Sequence, residues 1–268
     1  MITATALDGT SVRAHDEGQG PAILLLHGGM DDGASWKLVT RRLSPRFRTL
    51  RLHRRQYRLD LTAGGRCTMA EEVEHVRALV KLVGEPTLIV GHSSGAVLAL
   101  ETLAAMPEAF AGAVLYEPPC VIGPPLGGKA LARAQAAMDA AKPGRALAIF
   151  MRDIVQAPAS AAWMSAAAIP LFPRMRRLAQ HQLDDCATID EVGLRLDVYA
   201  RIDLPVVLLG GERSPAHLGE RLDALERVMP NTERVRLRRQ GHAATSLAPA
   251  KVAEVIATLG DKLRKPPQ

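Results

Sequence analysis

The protein has 268 residues, with 34 lysines and arginines against 28 aspartates and glutamates (net charge +6); 47% of the residues are hydrophobic and 3% are aromatic. These proportions are typical of a globular chain and exclude a disordered or collagen-like one. A chain of this length buries enough surface to form one large core, with room for a small satellite, without disulfides or structural metals.

The cysteines and the apolar runs indicate the cellular location of the protein. Cys67, Cys120 and Cys186 are widely spaced and include no Cys-x-x-Cys pair, which argues against a disulfide framework and a zinc site. The first 15 residues lack the pattern of a signal peptide, and no apolar run approaches the ~18 residues of a membrane span. We therefore expect a cytoplasmic protein that does not bind membranes.

The positive charge comes mostly from arginine, with 27 arginines and 7 lysines, and eight of the arginines lie between Arg41 and Arg58. A basic patch is typical of nucleic-acid binding. The whole chain contains only nine aromatic residues on which bases could stack, and no nucleic-acid module is recognisable. We therefore favour a solvated surface, or contacts with an anionic substrate, over nucleic acid.

Strand and helix patterns alternate along most of the chain. The turn at Asp8-Gly9 indicates a hairpin, and the unbroken apolar run Ala22 to Leu26 indicates a strand buried on both faces. Thr68 and Glu71 form a capping box that begins a helix, which Gly84 ends. The predicted strands are Thr3 to Leu7, Ser11 to His15, Ala22 to Leu26, Phe47 to Leu52, Pro86 to Val90, Ala113 to Tyr116, Pro205 to Leu209 and Arg234 to Leu237. The predicted helices outside residues 118–204 are Ala34 to Leu43, the capped helix to Val83, Ala96 to Ala105, Leu218 to Val228 and Pro249 to Leu259.

This alternation predicts an α/β protein with a mostly parallel, eight-stranded sheet flanked by helices. Residues 118–204 interrupt it, because they are rich in alanine, are broken by prolines and contain no convincing strand. We interpret them as three or four helices inserted between two strands. The predicted organisation is a core of residues 1–117 and 205–268 with a helical insertion of residues 118–204.

The pattern that points most directly to chemistry is Gly91-His92-Ser93-Ser94-Gly95, between a predicted strand and a predicted helix. In this context Gly-x-Ser-x-Gly forms a tight turn that exposes the serine at the carboxyl edge of a sheet. The start of the following helix favours developing negative charge. Ser93 is therefore the predicted nucleophile.

A serine nucleophile needs a base and an oxyanion site. His242 follows the last predicted strand, and the carboxyl ends of parallel strands lie at one edge, so His242 is the predicted general base. The loop His27-Gly28-Gly29-Met30 follows the third strand. The N–H of Gly29, or of Met30, is expected to converge with that of Ser94 on an oxyanion, and we interpret His27 as structural.

The order of oxyanion loop, nucleophile turn, helical insertion and late histidine resembles the α/β-hydrolase superfamily over nearly the whole chain. The nearest likeness is to its small cofactor-free esterase, haloperoxidase-like and lactonase-like branch. The resemblance implies the α/β-hydrolase fold, a serine mechanism without cofactor or metal, a small-molecule substrate, and a cap of residues 118–204 that lines the pocket. It leaves the substrate and the oligomeric state open.

The chain departs from the family at the catalytic acid. Relatives usually carry Gly-x-x-Asp after the seventh strand, whereas this chain has Ser214 at the aspartate position. An acid is still needed to hold the histidine tautomer. The alternatives are Glu212, in the same loop, and Glu117, directly after the sixth strand. We favour Glu117, because Pro118-Pro119 restricts the path of the chain after it.

A second departure is His53-Arg54-Arg55-Gln56-Tyr57-Arg58, where relatives usually have Asp-x-Arg-Gly-x-Gly. Facing the pocket mouth, these residues would favour a carboxylate, a phosphate or a carrier-linked substrate. An exposed basic loop is the interpretation that we favour.

Three functions fit these residues. The first is a serine hydrolase that cleaves a small carboxylic ester, thioester or lactone through an acyl-enzyme on Ser93. The second is a lyase or cyclase of a biosynthetic pathway that uses His242 as a base. The third is a non-catalytic small-molecule binding protein, which the intact Ser93 and His242 disfavour and the missing aspartate keeps open.

Overall fold

The computed structural model describes residues 1–61, 66–160 and 172–264. It contains an eight-stranded sheet in the order β1-β2-β4-β3-β5-β6-β7-β8. The pairs β1–β2 and β2–β4 are antiparallel, and all other neighbours are parallel. The strands are β1 (Ile2–Thr5), β2 (Ser11–Glu17), β3 (Ala22–Leu26), β4 (Arg48–Leu52), β5 (Thr87–His92), β6 (Phe110–Tyr116), β7 (Val206–Gly211) and β8 (Thr232–Leu237). The predicted fold class and all eight strands are confirmed, with shifts at the strand ends.

Helices cover both faces of the sheet, as the buried central strand requires. In β3, Leu24 and Leu26 belong to one hydrophobic core, and Ile23 and Leu25 belong to the core on the opposite face. The helices are α1 (Lys37–Leu43), α2 (Met69–Val83), α3 (Ser94–Ala105), α4 (Gly128–Asp139), α5 (Pro143–Ile149), α6 (Pro173–Val192), α7 (Leu196–Tyr199), α8 (Ala216–Val228), α9 (Ala244–Leu247) and α10 (Pro249–Arg264).

The predicted boundaries of α2 are confirmed by its caps. The Thr68 hydroxyl accepts a hydrogen bond from the N–H of Glu71, and the Glu71 carboxylate accepts one from the N–H of Thr68. Gly84 follows the helix with φ 76°, a left-handed conformation that favours glycine. The capping box and the glycine therefore determine where α2 begins and ends.

Residues 118–204 lie between β6 and β7. Those that the structure describes form helices α4 to α7, a π-helical turn at Phe150–Ile154 and one isolated bridge between Val121 and Leu194. Part of the predicted helical insertion, residues 161–171, lies outside the described residues. Helices α4, α5 and α6 bury a hydrophobic cluster of their own, and Met30 of the sheet domain packs against it.

None of the helices in the described ranges is long and apolar enough to cross a membrane.

Candidate active site

Ser93 sits on a strained turn between β5 and α3. It adopts φ 54° and ψ −129°, which side-chain-bearing residues rarely do, and such strain is concentrated at functional sites. A Cβ at Gly91 would lie 2.4 Å from the Cα of Ala96, and one at Gly95 would lie 2.4 Å from the carbonyl oxygen of His27. The two glycines of the motif are therefore required by close backbone approaches on both sides of the serine.

His242 and Glu117 form a hydrogen-bonded pair although 125 residues separate them. His242 Nδ1 lies 2.6 Å from Glu117 Oε2. Because an ionised carboxylate only accepts, Nδ1 carries the proton and Nε2 keeps a free lone pair. The other oxygen, Glu117 Oε1, accepts from the N–H of Gly211 at 2.6 Å, and the Glu117 side chain is only 1% exposed.

The backbone at the end of β6 positions the Glu117 side chain next to His242. Glu117 adopts φ 48°, and its N–H donates to the carbonyl of Leu209 in β7. Glu212 lies elsewhere, because its side chain is exposed and its carboxylate accepts from the N–H of Arg239 at 2.6 Å. Ser214, at the position where relatives carry aspartate, has a buried hydroxyl with no hydrogen-bond partner in the described chain. Of the two glutamates, the structure brings only Glu117 to His242.

Two aromatic side chains hold the loop that carries His242. His92 Nε2 donates to the carbonyl of His242 at 2.8 Å, and the two imidazole rings are 4.6 Å apart between centroids. The hydroxyl of Tyr116 donates to the carbonyl of Gly241 and accepts from the N–H of Ala244 at 3.3 Å. Burial and the nearby His242 keep the pKa of His92 well below its ordinary value, so this ring stays neutral. Sequence reasoning missed these two positioning residues, which show no motif of their own.

The predicted oxyanion loop lies against the nucleophile. A Cβ at Gly28 would be 3.1 Å from the Cβ of Ser93, a tight contact that glycine avoids. Gly29, Met30 and Ser94 all line the cavity beside Ser93. Met30 adopts φ 53°, and it is the third residue with a left-handed backbone at this edge of the sheet, after Ser93 and Glu117. The residues predicted to bind an oxyanion therefore line one cavity together with Ser93.

The buried His27 side chain holds the predicted oxyanion loop in place through two hydrogen bonds. Its Nδ1 donates to the carbonyl of Gly28 at 2.8 Å, and its Nε2 accepts from the N–H of Arg54 at 3.1 Å. This pairing requires the neutral ring. Burial lowers the pKa of His27 to about 4.

The pKa of His27 predicts part of the acid sensitivity of the fold. A histidine that titrates near 6.5 in the unfolded chain and about 4 in the folded one destabilises the fold as the pH falls through this window, by about 1.4 kcal/mol per pH unit. Urea denaturation between pH 7 and pH 4 measures this slope. We expect His27→Asn to be less stable at pH 7 and to lack this part of the slope. Equal slopes in the two proteins would show that His27 is protonated in the folded state.

A cavity of about 610 Å³ opens above Ser93 and His242. Aliphatic and methionine side chains form much of its wall, and Phe150 is the one ring of Phe, Tyr or Trp among the described lining residues. The segment 118–204 contributes much of this wall, through Pro119, Leu126, Leu147, Phe150, Met151, Ile154, Val155, Met175, Gln182, Cys186 and Ile189.

The basic loop after β4 is neither exposed nor at the pocket, so both interpretations of residues 53–58 were wrong. The Arg54 side chain is 0% exposed and binds Glu72 at 2.7 Å and Asp185 of α6 at 2.9 Å. It also donates to the hydroxyl of Ser94 at 2.8 Å and to the carbonyl of His27 at 3.2 Å. None of the six loop residues 53–58 lines the cavity.

The charge of Arg54 survives burial because of its partners. Burial opposes the charged form, but the two carboxylates outweigh it and raise the pKa of Arg54 above its ordinary value. The hydroxyl of Tyr57 donates to Asp185 at 2.7 Å and completes the network. The loop thus connects α6 to the residues around Ser93. Sequence reasoning missed this connection, since the two carboxylates come from distant segments.

Comparison with known proteins places the fold. The model of the alpha/beta hydrolase family matches residues 23–255. The chain belongs to the alpha/beta hydrolase family. A curated relative, the uncharacterized hydrolase YraK of Bacillus subtilis (strain 168), is 30% identical over 114 residues, which is 41% of this chain and 42% of the relative. The match thus spans less than half the length of that relative.

Solved structures resemble this member of the alpha/beta hydrolase family over almost its whole length. An alpha/beta hydrolase from Sphaerobacter thermophilus DSM 20745 superposes with a TM-score of 0.81 at 25% identity, covering 97% of this chain and 100% of the other. A thermophilic esterase from Thermogutta terrifontis, with malate bound, has a TM-score of 0.78 at 17% identity and covers 98% and 99%. At 17% identity the second likeness shows the fold alone.

Proposed function

We propose that this protein is a serine hydrolase that cleaves a small uncharged carboxylic ester, thioester or lactone through an acyl-enzyme on Ser93. The observation that carries the proposal is the hydrogen bond of 2.6 Å between Glu117 and His242, because His242 and Ser93 line the same cavity. This pair supplies a base with a defined tautomer in the cavity that holds the half-buried Ser93. An esterase among the structures of the same fold agrees with this chemistry.

The mechanism uses groups of this chain at every step. His242 Nε2, unprotonated because Nδ1–H is bound to Glu117, takes the proton of Ser93 as the hydroxyl attacks the substrate carbonyl. The N–H of Ser94 and that of Gly29, or of the next residue Met30, bind the oxyanion. His242 returns the proton to the leaving group. A water molecule activated by His242 then releases the acid from Ser93.

The lining of the cavity supports an uncharged, largely apolar substrate. Its described residues include one carboxylate, Asp31, and no lysine or arginine. Asp31 accepts hydrogen bonds from the N–H and the hydroxyl of Ser35. An anionic substrate would therefore be desolvated without a positive partner, which is costly. In this proposal residues 118–204 act as a cap that selects the substrate by its apolar shape.

A fluorophosphonate probe tests the proposed nucleophile. We expect stoichiometric labelling, located by peptide mass spectrometry at Ser93 and abolished in Ser93→Ala. Ser94→Ala is the matched control. It removes the neighbouring hydroxyl but keeps the backbone N–H of residue 94, so it should still be labelled. A wild-type protein that resists labelling, or a Ser93→Ala protein that still reacts, would contradict the proposal.

A further inference from the structure

Gln182 stands out on an apolar wall. It is one of eleven described residues through which segment 118–204 lines the cavity, and the others, apart from the thiol of Cys186, carry hydrocarbon or thioether side chains. Gln182 lies on α6 and is 8% exposed. A buried amide in such surroundings costs free energy unless its polar atoms find partners.

The amide of Gln182 is held against the oxyanion loop. A Cβ at Gly29 would lie 1.7 Å from Gln182 Oε1, so the amide occupies the space beside this glycine. The hydroxyl of Tyr57 lies 3.3 Å from the same oxygen and 2.7 Å from Asp185, which Arg54 also binds. The oxygen end of the amide is thus turned toward a rigid buried network.

The nitrogen end of the amide is free. Gln182 Nε2 has no hydrogen-bond acceptor among the described residues, whereas Oε1 lies 3.3 Å from the Tyr57 hydroxyl, whose single proton it shares with the closer Asp185. A Cβ at Gly29 would lie 1.7 Å from Oε1 and 3.0 Å from Nε2, so both ends of the amide lie next to the place where the oxyanion donors would hold the substrate carbonyl. His242 faces the leaving group in the proposed mechanism. A donor beside Gly29 therefore meets the acyl side of the substrate.

We propose that Gln182 is a specificity-determining residue that donates an N–H of Nε2 to an oxygen of the acyl chain, one or two atoms from the reacting carbonyl. This inference rests on the proposed function and narrows its substrate class. The preferred substrates are uncharged esters of alkoxy-, keto- or hydroxy-substituted acids with an otherwise apolar chain. A site built to pair a polar group discriminates against the analogue that lacks it, because the amide is then left unpaired.

Two isosteric esters test this specificity. p-Nitrophenyl methoxyacetate and p-nitrophenyl butyrate differ by an ether oxygen in place of a CH₂, and their different intrinsic reactivities cancel when variants are compared. In Gln182→Met, which keeps an unbranched side chain, we expect the ratio of kcat/KM for methoxyacetate over butyrate to fall about tenfold. An unchanged ratio, or an equal loss for both esters, would overturn the proposal.

Gln180→Met is the matched control, since Gln180 lies on the same helix but its amide binds Asp184 and Gln135 and does not line the cavity. We expect the wild-type ratio. Fluorophosphonate labelling of Ser93 at the wild-type rate shows that the Gln182→Met site is folded.

Failure of the proposed function has a different signature. If the wild type neither hydrolyses the two esters nor reacts with the probe, the serine mechanism is wrong, and binding then tests Gln182 by itself. In that case NMR titration with methyl methoxyacetate and methyl butyrate should still show tighter binding of the ether by the wild type and no preference in Gln182→Met. Equal affinities in the wild type would overturn the role of Gln182.

Discussion

We expect the substitution Glu117→Gln to lower kcat on a model ester about 10⁴-fold and to change KM little. The glutamine oxygen would keep the hydrogen bond from the N–H of Gly211 that Glu117 Oε1 accepts now. Its NH₂ group would then face His242 Nδ1 and donate to it. The histidine would carry its proton on Nε2, which is the wrong tautomer for taking a proton from Ser93.

Glu212→Gln is the control for this substitution. Its exposed carboxylate binds the N–H of Arg239, and the glutamine oxygen can accept the same hydrogen bond. We expect kcat within about twofold of the wild type, the small effect usual for a surface substitution. Steady-state kinetics of both variants, with circular dichroism to verify folding, provide the measurement. A larger loss in Glu212→Gln than in Glu117→Gln would show that the acid has been assigned to the wrong residue.

We expect Arg54→Met to destabilise the protein by about 3–5 kcal/mol, because the substitution leaves two buried carboxylates without their cation. Glu72 and Asp185 are only 3% and 2% exposed. Burial already raises the pKa of Glu72, so this carboxylate depends on the neighbouring charge. The loss is a large fraction of the 5–15 kcal/mol that is typical of a folded domain.

Arg55→Met is the neighbouring control. Arg55 is 14% exposed, but its partners Asp8 and Glu71 are 43% and 41% exposed. Water can solvate these carboxylates when the arginine is removed, so we expect a much smaller loss than for Arg54→Met. Urea denaturation of both variants gives the comparison. Adding Glu72→Gln and Asp185→Asn to Arg54→Met should recover much of the stability, because the uncompensated charges are removed. Equal destabilisation by the two arginine substitutions would contradict this account of the network.

Most of the fold could be predicted from short sequence patterns. The apolar run of β3, the capping box of α2 and the Gly-x-Ser-x-Gly turn each depend on residues within a few positions of one another. Ser93 and His242 could also be predicted from the sequence, because the carboxyl ends of parallel strands lie at one edge of the sheet. The strand ends shifted where backbone pairing continues beyond the predicted run, as in β6, which begins at Phe110 instead of Ala113.

The tertiary structure decided what depends on distant partners. The sequence left Glu117 and Glu212 as alternatives, and the choice came from the left-handed backbone at Glu117 and the N–H of Gly211, which lies 94 residues away. The basic loop after β4 was misjudged, since an arginine remains buried only where carboxylates meet it. For Arg54 these are Glu72 and Asp185, from two different helices. Short-range periodicity determines which elements form, whereas the environment of a charge depends on how these elements pack.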